Sequence, residues 1–359
     1  MLRRFARPRI VLAGWLIVAW ACTFPAASAR AAGDALPGRL SDEEFWGVVT
    51  SFSERPGSFP SDNLLSNERS LQDVMTELVR RARPDGVYLG VGPEQNFTYM
   101  AALKPRMAFI VDIRRGNLDL HLMYKALFEL SADRAEFVSR LFSRKRPEGL
   151  TSSSSVAEIF DAYEQVESSE ALYVENLRAV VNDLSKTHGF ALGADDMLRL
   201  QRTHRAFYTH GPDIQYSSTR SSGRRDEPTY RDLMLATDRN GLPWSFLATE
   251  DAFLFIKRLE ASNLVVPIIG NFSGPRAIRA VGGYLTARGA TVSAFYLSNV
   301  EEYLRRDGTW RSFCGNAATL PVDHTTTFIR SVRGDTPTAP FRLTSELGVV
   351  KAELTECDE

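Results

Sequence analysis

The stretch from Val87 to Asp112 constrains this chain more than any other. Val87-Tyr88-Leu89 is a short apolar run ending in Gly90-Val91-Gly92-Pro93, and Gln95 to Leu103 is long enough for one short helix. Met107-Ala108-Phe109-Ile110-Val111 is a second run of buried-strand type, and it stops at Asp112. Strand, glycine-rich turn, helix, strand and acid in that order make a βαβ unit.

A second unit of the same kind lies near the other end. Thr249 is placed to cap a helix through Phe253, Phe255 and Leu259, and Leu264 to Ile269 reads as a buried strand. Pro267 inside it argues for a strand end or a sheet edge, because proline cannot donate to the ladder. Gly270-Asn271-Phe272-Ser273-Gly274-Pro275 is a turn, Pro275 sits well at a helix start, and Gly289 ends that helix. Thr291 to Leu297 is a further strand, and Ser298-Asn299-Val300-Glu301-Glu302 opens another helix. Thr325 to Val332 is strand-like and suits a sheet edge.

Between the two units, Asn117 to about Gln201 is helical in pattern, broken at Arg144-Lys145-Arg146-Pro147 and at Thr151 to Ser155. From His204 to Trp244 the pattern is irregular and reads as a long surface excursion or lid. Ahead of the first unit, Ser41-Asp42-Glu43-Glu44 is a capping box, and Ser70 is placed to cap a second helix through Leu71, Val74 and Leu78. Pro56, Gly57, Pro60 and Ser61-Asp62-Asn63 form a loop between them. The expected fold is α/β: one doubly wound, mainly parallel, Rossmann-like domain over residues 38–359. It carries an N-terminal helical extension and a large helical or lid insertion at about 131–247.

Residues 1–29 differ from the rest. Arg3, Arg4, Arg7 and Arg9 precede a stretch without charge from Ile10 to Ala29, and Ala27-Ser28-Ala29 fits a cleavage site. A basic start, an apolar middle and a small-residue end read as a secretory signal peptide. An uncleaved anchor facing outward is the other reading. Either exports the domain, to the periplasm or to the outer side of a membrane; without a leader the chain is cytoplasmic. The leader holds four arginines and no acid, so the net charge of −1 becomes −5 without it. That balance gives no reason to expect nucleic acid as a partner, and membrane contact only through an uncleaved leader. Cys314 and Cys357 remain, either paired across an oxidising compartment or as two free thiols. Three cysteines exclude a disulfide-rich scaffold, and no C-x-x-C or His/Cys cluster suggests a metal site.

In open parallel sheets ligands bind beyond the carboxyl ends of the strands. The corresponding turns here are Gly90 to Gln95, Asp112 to Arg115, Gly270 to Gly274 and Ser298 to Glu301. Glycines let backbone approach a ligand, and an acid twenty residues past Gly92 is placed to accept ribose hydroxyls. Tight turns with a capping Asp112 are the plain alternative. Arg114-Arg115 can meet a phosphate or carboxylate, though such pairs are commonly just solvated.

Val87-Tyr88-Leu89-Gly90-Val91-Gly92-Pro93 with Phe109-Ile110-Val111-Asp112 resembles the class I S-adenosylmethionine-dependent methyltransferases over about residues 85–130. The whole chain is similar to a bacterial family of methyltransferase-like proteins without an established reaction. The resemblance implies an S-adenosylmethionine cofactor with its methionine part at Gly90, Gly92 and Glu94, its ribose at Asp112, and further contacts from Asn271, Ser298 and Asn299. The motif is degenerate: Tyr88 stands where that superfamily carries an acid, and Glu94 where it carries a third glycine.

Two functions therefore compete: a methyltransferase-like enzyme binding a nucleoside-bearing small molecule, and an exported, non-catalytic binding protein that kept the fold and lost the cofactor. A third, a hydrolase using His210 and Asp213, rests on the cluster of His204, Tyr208, His210, Asp213 and Tyr216. His121, beside Tyr124 and Lys125, is a further acid/base candidate. G-x-S-x-G, H-E-x-x-H and the P-loop are absent. No catalytic residue is assigned.

Overall fold

Both βαβ units form and share one sheet. The computed structural model describes residues 35–217, 227–333 and 343–357. The leader expected at residues 1–29 and the serine- and arginine-rich run at 221–225 lie outside the described residues. In chain order the first elements are α1 (Asp42–Phe52), α2 (Met75–Arg81), β1 (Val87–Gly90), α3 (Gln95–Leu103), β2 (Met107–Asp112) and α4 (Arg115–Leu130). A helical insertion follows: α5 (Arg134–Phe142), α6 (Val156–Glu164), α7 (Glu170–Asn182), α8 (Ala194–His210) and α9 (Tyr230–Leu235). The chain then returns through α10 (Glu250–Ala261), β3 (Val265–Ile269), α11 (Ala277–Ala287), β4 (Val292–Ser298) and α12 (Val300–Arg306). It closes with α13 (Trp310–Ala317), β5 (Thr327–Arg333), β6 (Leu343–Val349) and α14 (Val350–Glu356).

The strand order is β3-β2-β1-β4-β5-β6, and only β6 runs antiparallel, against β5. Chain progress runs outward from β1 to β3 and then reverses to the other side of β1. The crevice between the carboxyl ends of β1 and β4 is therefore the topological switch point. This is a Rossmann-like α/β fold. Every residue of β1, β2 and β3 is buried, as expected of parallel strands covered on both faces. Pro267 lies in β3, an edge strand, where its missing N–H costs no ladder bond.

Helix α4 is buried on every side from Asn117 to Phe128 and lies between the sheet and the insertion. The aromatic rings of Phe97, Phe128, Phe137, Phe246 and Phe253 pack around it, the closest pair, Phe128 and Phe137, with centroids 4.7 Å apart. Ser41 and Glu44 form the expected capping box on α1. Ser70 does not cap a helix: residues 69–74 are turns and α2 starts only at Met75. Its hydroxyl is committed elsewhere, donating to the Leu343 carbonyl at 3.0 Å and accepting the Ser345 N–H at 3.1 Å. The stretch expected to be irregular from His204 is helical to His210, because α8 carries on through buried His204 and Phe207. Among the described residues no helix is long and apolar enough to cross a membrane.

Cys314 of α13 is disulfide-bonded to Cys357, just past α14, with the Cα atoms 6.0 Å apart and a sequence separation of 43. Closing a loop of that size restricts the unfolded chain. Reduction, or replacing both cysteines by serine, is expected to lower unfolding stability by about 3–4 kcal/mol. Denaturant titration with and without reductant checks this, and the serine variant should not respond to reductant.

Candidate functional site at the carboxyl edge of the sheet

Residues 53–70 run as a strap across the carboxyl ends of the strands. At β3 the Ile269 N–H donates to Ser53 Oγ at 3.0 Å, and the Glu54 N–H donates to the Ile269 carbonyl at 2.8 Å. At β2 the Gly57 N–H donates to the Ile113 carbonyl at 2.7 Å, and Arg114 Nη1 donates to the Asp62 carbonyl. At β1 the Ser66 N–H is shared by both carboxyl oxygens of Glu94, each at 3.2 Å. At β4 the Glu68 Oε1 atom accepts from Tyr296 Oη and Ser298 Oγ, both at 2.6 Å. Ser70 then reaches β6. The loop expected between the first two helices thus covers the edge where ligands bind in sheets of this kind.

Most positions the sequence assigned to a cofactor are engaged by the chain itself; Asn299 is the exception. At the first turn Asn96 fills the space beside Gly90. Its Nδ2 donates to the carbonyls of Val91, Gly92 and Pro93 at 3.0, 3.1 and 2.7 Å, and its Oδ1 accepts from Tyr88 Oη at 2.9 Å. A Cβ on Gly90 would lie 2.0 Å from that Oδ1, so the glycine is required by Asn96. Gly92 has φ of +77°, a backbone conformation that glycine adopts without strain. Its carbonyl accepts from His121 Nε2 at 2.9 Å. Burial pushes the His121 pKa down to about 4, so the ring is neutral, with its N–H on Nε2.

At the second turn Asp112 is buried against Arg114. Arg114 Nε and backbone N–H donate to Oδ1 at 3.1 and 2.8 Å, and Nη2 donates to Oδ2 at 2.9 Å. Both carboxylate oxygens are held, and the partner considered for Arg114 from the sequence is Asp112 itself. At the third turn Glu54 occupies the amino end of α11. Its Oε1 accepts the Arg276 and Ala277 N–H groups at 2.8 and 2.9 Å, and its Oε2 accepts the Asn271 N–H at 3.2 Å. A helix amino terminus favours an anion, and here the anion is a side chain of the strap. Asn271 is exposed, and its Oδ1 accepts from Ser273 N–H and Oγ, both at 2.9 Å.

At the fourth turn the pairing of β4 with β5 slips between Tyr296 and Ser298, and Ser298 has φ of +51°. This irregularity aims the Ser298 hydroxyl at Glu68. Asn299 precedes α12 without a side-chain capping bond. Gln95 Nε2 donates to Tyr296 Oη at 3.2 Å and to the Val91 carbonyl at 3.3 Å. The switch point is thus filled by a buried polar network of Glu68, Gln95, Asn96, Tyr88 and Tyr296.

Among the described residues Glu68 and Glu94 have no cationic side chain as a hydrogen-bond partner. Burial raises the Glu68 pKa. Burial, opposed by the Ser66 N–H and reinforced by the Glu68 charge, raises that of Glu94 to about 8. Glu94 is therefore a neutral acid near pH 7. No local pattern marks Glu54, Ser66 or Glu68, which sit in a stretch that reads only as a loop.

The histidine cluster does not assemble into a dyad. Burial lowers the His204 pKa to about 4, its Nε2 faces the Arg140 carbonyl at 3.1 Å, and its ring packs on Tyr173. His210 and Asp213 are exposed at the end of α8 and in the following 3-10 turn. Tyr216 joins the strap instead, its carbonyl accepting the Leu64 N–H at 2.8 Å.

A reversed parallel sheet whose carboxyl edge is closed by its own N-terminal strap defines a self-covered Rossmann-like protein. Within that class the chain belongs to the family described as a domain of unknown function, DUF7790, matched over residues 64–347. No curated protein matches it.

An acid whose pKa is higher in the folded than in the unfolded chain stabilises the fold while protonated. The Glu94 contribution is complete below about pH 4.5 and is lost as pH rises toward about 8. Glu94→Gln keeps the shape without the titration. At pH 8 it is expected to be more stable than wild type by about 2 kcal/mol, with the difference shrinking toward pH 5. Denaturant midpoints across pH 5–8 check this; parallel curves would count against it.

Proposed function

We propose that this chain is an exported, non-catalytic binding protein that has kept the Rossmann-like sheet and closed its cofactor crevice. The observation that carries the reading is the engagement of Asp112. Both oxygens needed for ribose hydroxyls are held by Arg114, and the pair is buried beneath the strap. Displacing a buried, doubly hydrogen-bonded ion pair leaves an uncompensated charge, which costs several kcal/mol before a ligand gains anything. Glu54 at the α11 terminus and Glu68 at the switch point occupy two further positions through hydrogen bonds a ligand would have to replace.

The competing reading, an S-adenosylmethionine-dependent enzyme, is supported by the reversal of strand order at β1 and by an acid at the end of β2. In that case the strap has to move aside. Calorimetry separates the two. With S-adenosylmethionine or S-adenosylhomocysteine at millimolar concentration, the wild-type chain and a strap-loosened Glu68→Ala variant are both expected to give no binding heat. Stoichiometric binding by wild type would overturn the proposal. Binding by the Glu68→Ala variant alone would make the chain a strap-gated cofactor-binding protein.

A further inference from the structure

A second group of ionisable side chains lies away from the strap, where α1, α4 and the end of α7 meet. Helix α7 runs into one π-helical turn, Asp183–Thr187, and His188 follows it. His188 Nε2 lies 2.8 Å from Glu129 Oε2 and 3.7 Å from Asp183 Oδ2. The donor atoms of Glu129, Asp183 and His188 all lie within 4.8 Å of one another. Asp183 is 9% exposed, and its Oδ2 is buried without a hydrogen-bond partner, directed at this group. A buried carboxylate oxygen left unsatisfied is costly and calls for a positive partner.

The surroundings have the order of a metal centre. His188 Nδ1 lies 2.7 Å from Asp42 Oδ1, and Asp42 is itself fixed by Asn263 Nδ2 at 2.8 Å. A carboxylate on the far ring nitrogen is the usual support of a metal-bound histidine, because it fixes the tautomer and leaves Nε2 as the ligand. Lys125 Nζ donates to Glu129 Oε1 at 2.6 Å, which holds that carboxylate in place and leaves Oε2 toward the centre. Three carboxyl groups, Asp42, Glu129 and Asp183, surround Lys125 and His188, and an ion would take the place of the proton between His188 Nε2 and Glu129.

We infer that Glu129, Asp183 and His188 form a binding site for one divalent transition ion of the zinc class, with Asp42 and Lys125 as supports. One imidazole and two carboxylates suit zinc better than calcium, which takes oxygen ligands only. Metal–ligand bonds of about 2.1 Å in a tetrahedron separate donor atoms by roughly 3.4 Å. The Asp183–His188 spacing is already close to that, and the Glu129–His188 spacing needs only a small opening. With three protein ligands the fourth position goes to water, and the ion links the elements that supply the ligands. It joins the end of the π-turn to the carboxyl end of α4, with α1 attached through Asp42.

The test uses the full chain, stripped with chelator and dialysed against micromolar zinc. Metal analysis is expected to find one zinc per chain, with a melting temperature several degrees above that of the stripped protein. Asp183→Asn removes the unpartnered carboxylate and should fold. It is expected to melt at or above the stripped wild type while losing both the bound zinc and the zinc-induced rise. His188→Gln should lose the zinc as well. No zinc on the wild-type chain, or a full equivalent retained by both variants, would overturn the inference.

Discussion

The buried carboxyl of Glu68 is the interaction on which the carboxyl edge depends. It brings the strap to the end of β4, where two hydroxyls donate to a single oxygen. Burial disfavours the charge on this carboxyl and raises its pKa, and the two hydroxyl donors satisfy one of its oxygens. It lies near Glu94, and among the described residues its hydrogen-bond partners include no cationic side chain. The strap is thus held by hydrogen bonding where most buried carboxylates rely on a salt bridge. From that anchor the other crossings follow: Ser66 onto Glu94, Asp62 onto Arg114, and Glu54 onto the start of α11.

Helix α4 imposes the second constraint. A helix buried on all faces normally carries only apolar residues, yet this one contains Asp119, His121 and Lys125. Each is matched by a partner on a different element. Asp119 pairs with Arg199 of α8, His121 with the Gly92 carbonyl, and Lys125 with Glu129 and the Glu260 carbonyl of α10. Because an unpaired buried charge is so costly, these pairs fix the rotation of α4 against the sheet and against the insertion together. The group around His188 extends the same pattern by one turn, at the end of α4.

The fold was legible because its signals are local. Val87 to Asp112 and Leu264 to Leu297 carry their strands, turns and helix starts within short windows, and Pro267 even indicated an edge strand. The site was not legible because its contacts are distant in sequence. Glu68 and Tyr296 are 228 residues apart, and Glu54 reaches a helix 222 residues away. Ser70 looked like a helix cap for the same reason: the sequence carries a helical period after it, and nothing nearby shows that its hydroxyl belongs to β6. His188 carries no flanking ligand motif, since its partners come from α1, α4 and a π-turn.

The glycine motif, which most suggested a cofactor, has a sufficient cause inside the chain. Gly90 is needed because the Asn96 amide occupies the volume a side chain would take, and that amide satisfies three consecutive turn carbonyls. Gly92 is needed for its positive φ, which turns its carbonyl toward His121. Asp112 is needed to neutralise an arginine buried under the strap. Selection for the packed turn alone would keep all three residues in place whether or not a nucleoside ever bound there. A nucleoside bound at this edge would have to displace the internal partners that now hold it, which are Asn96, Arg114, Glu54 and Glu68.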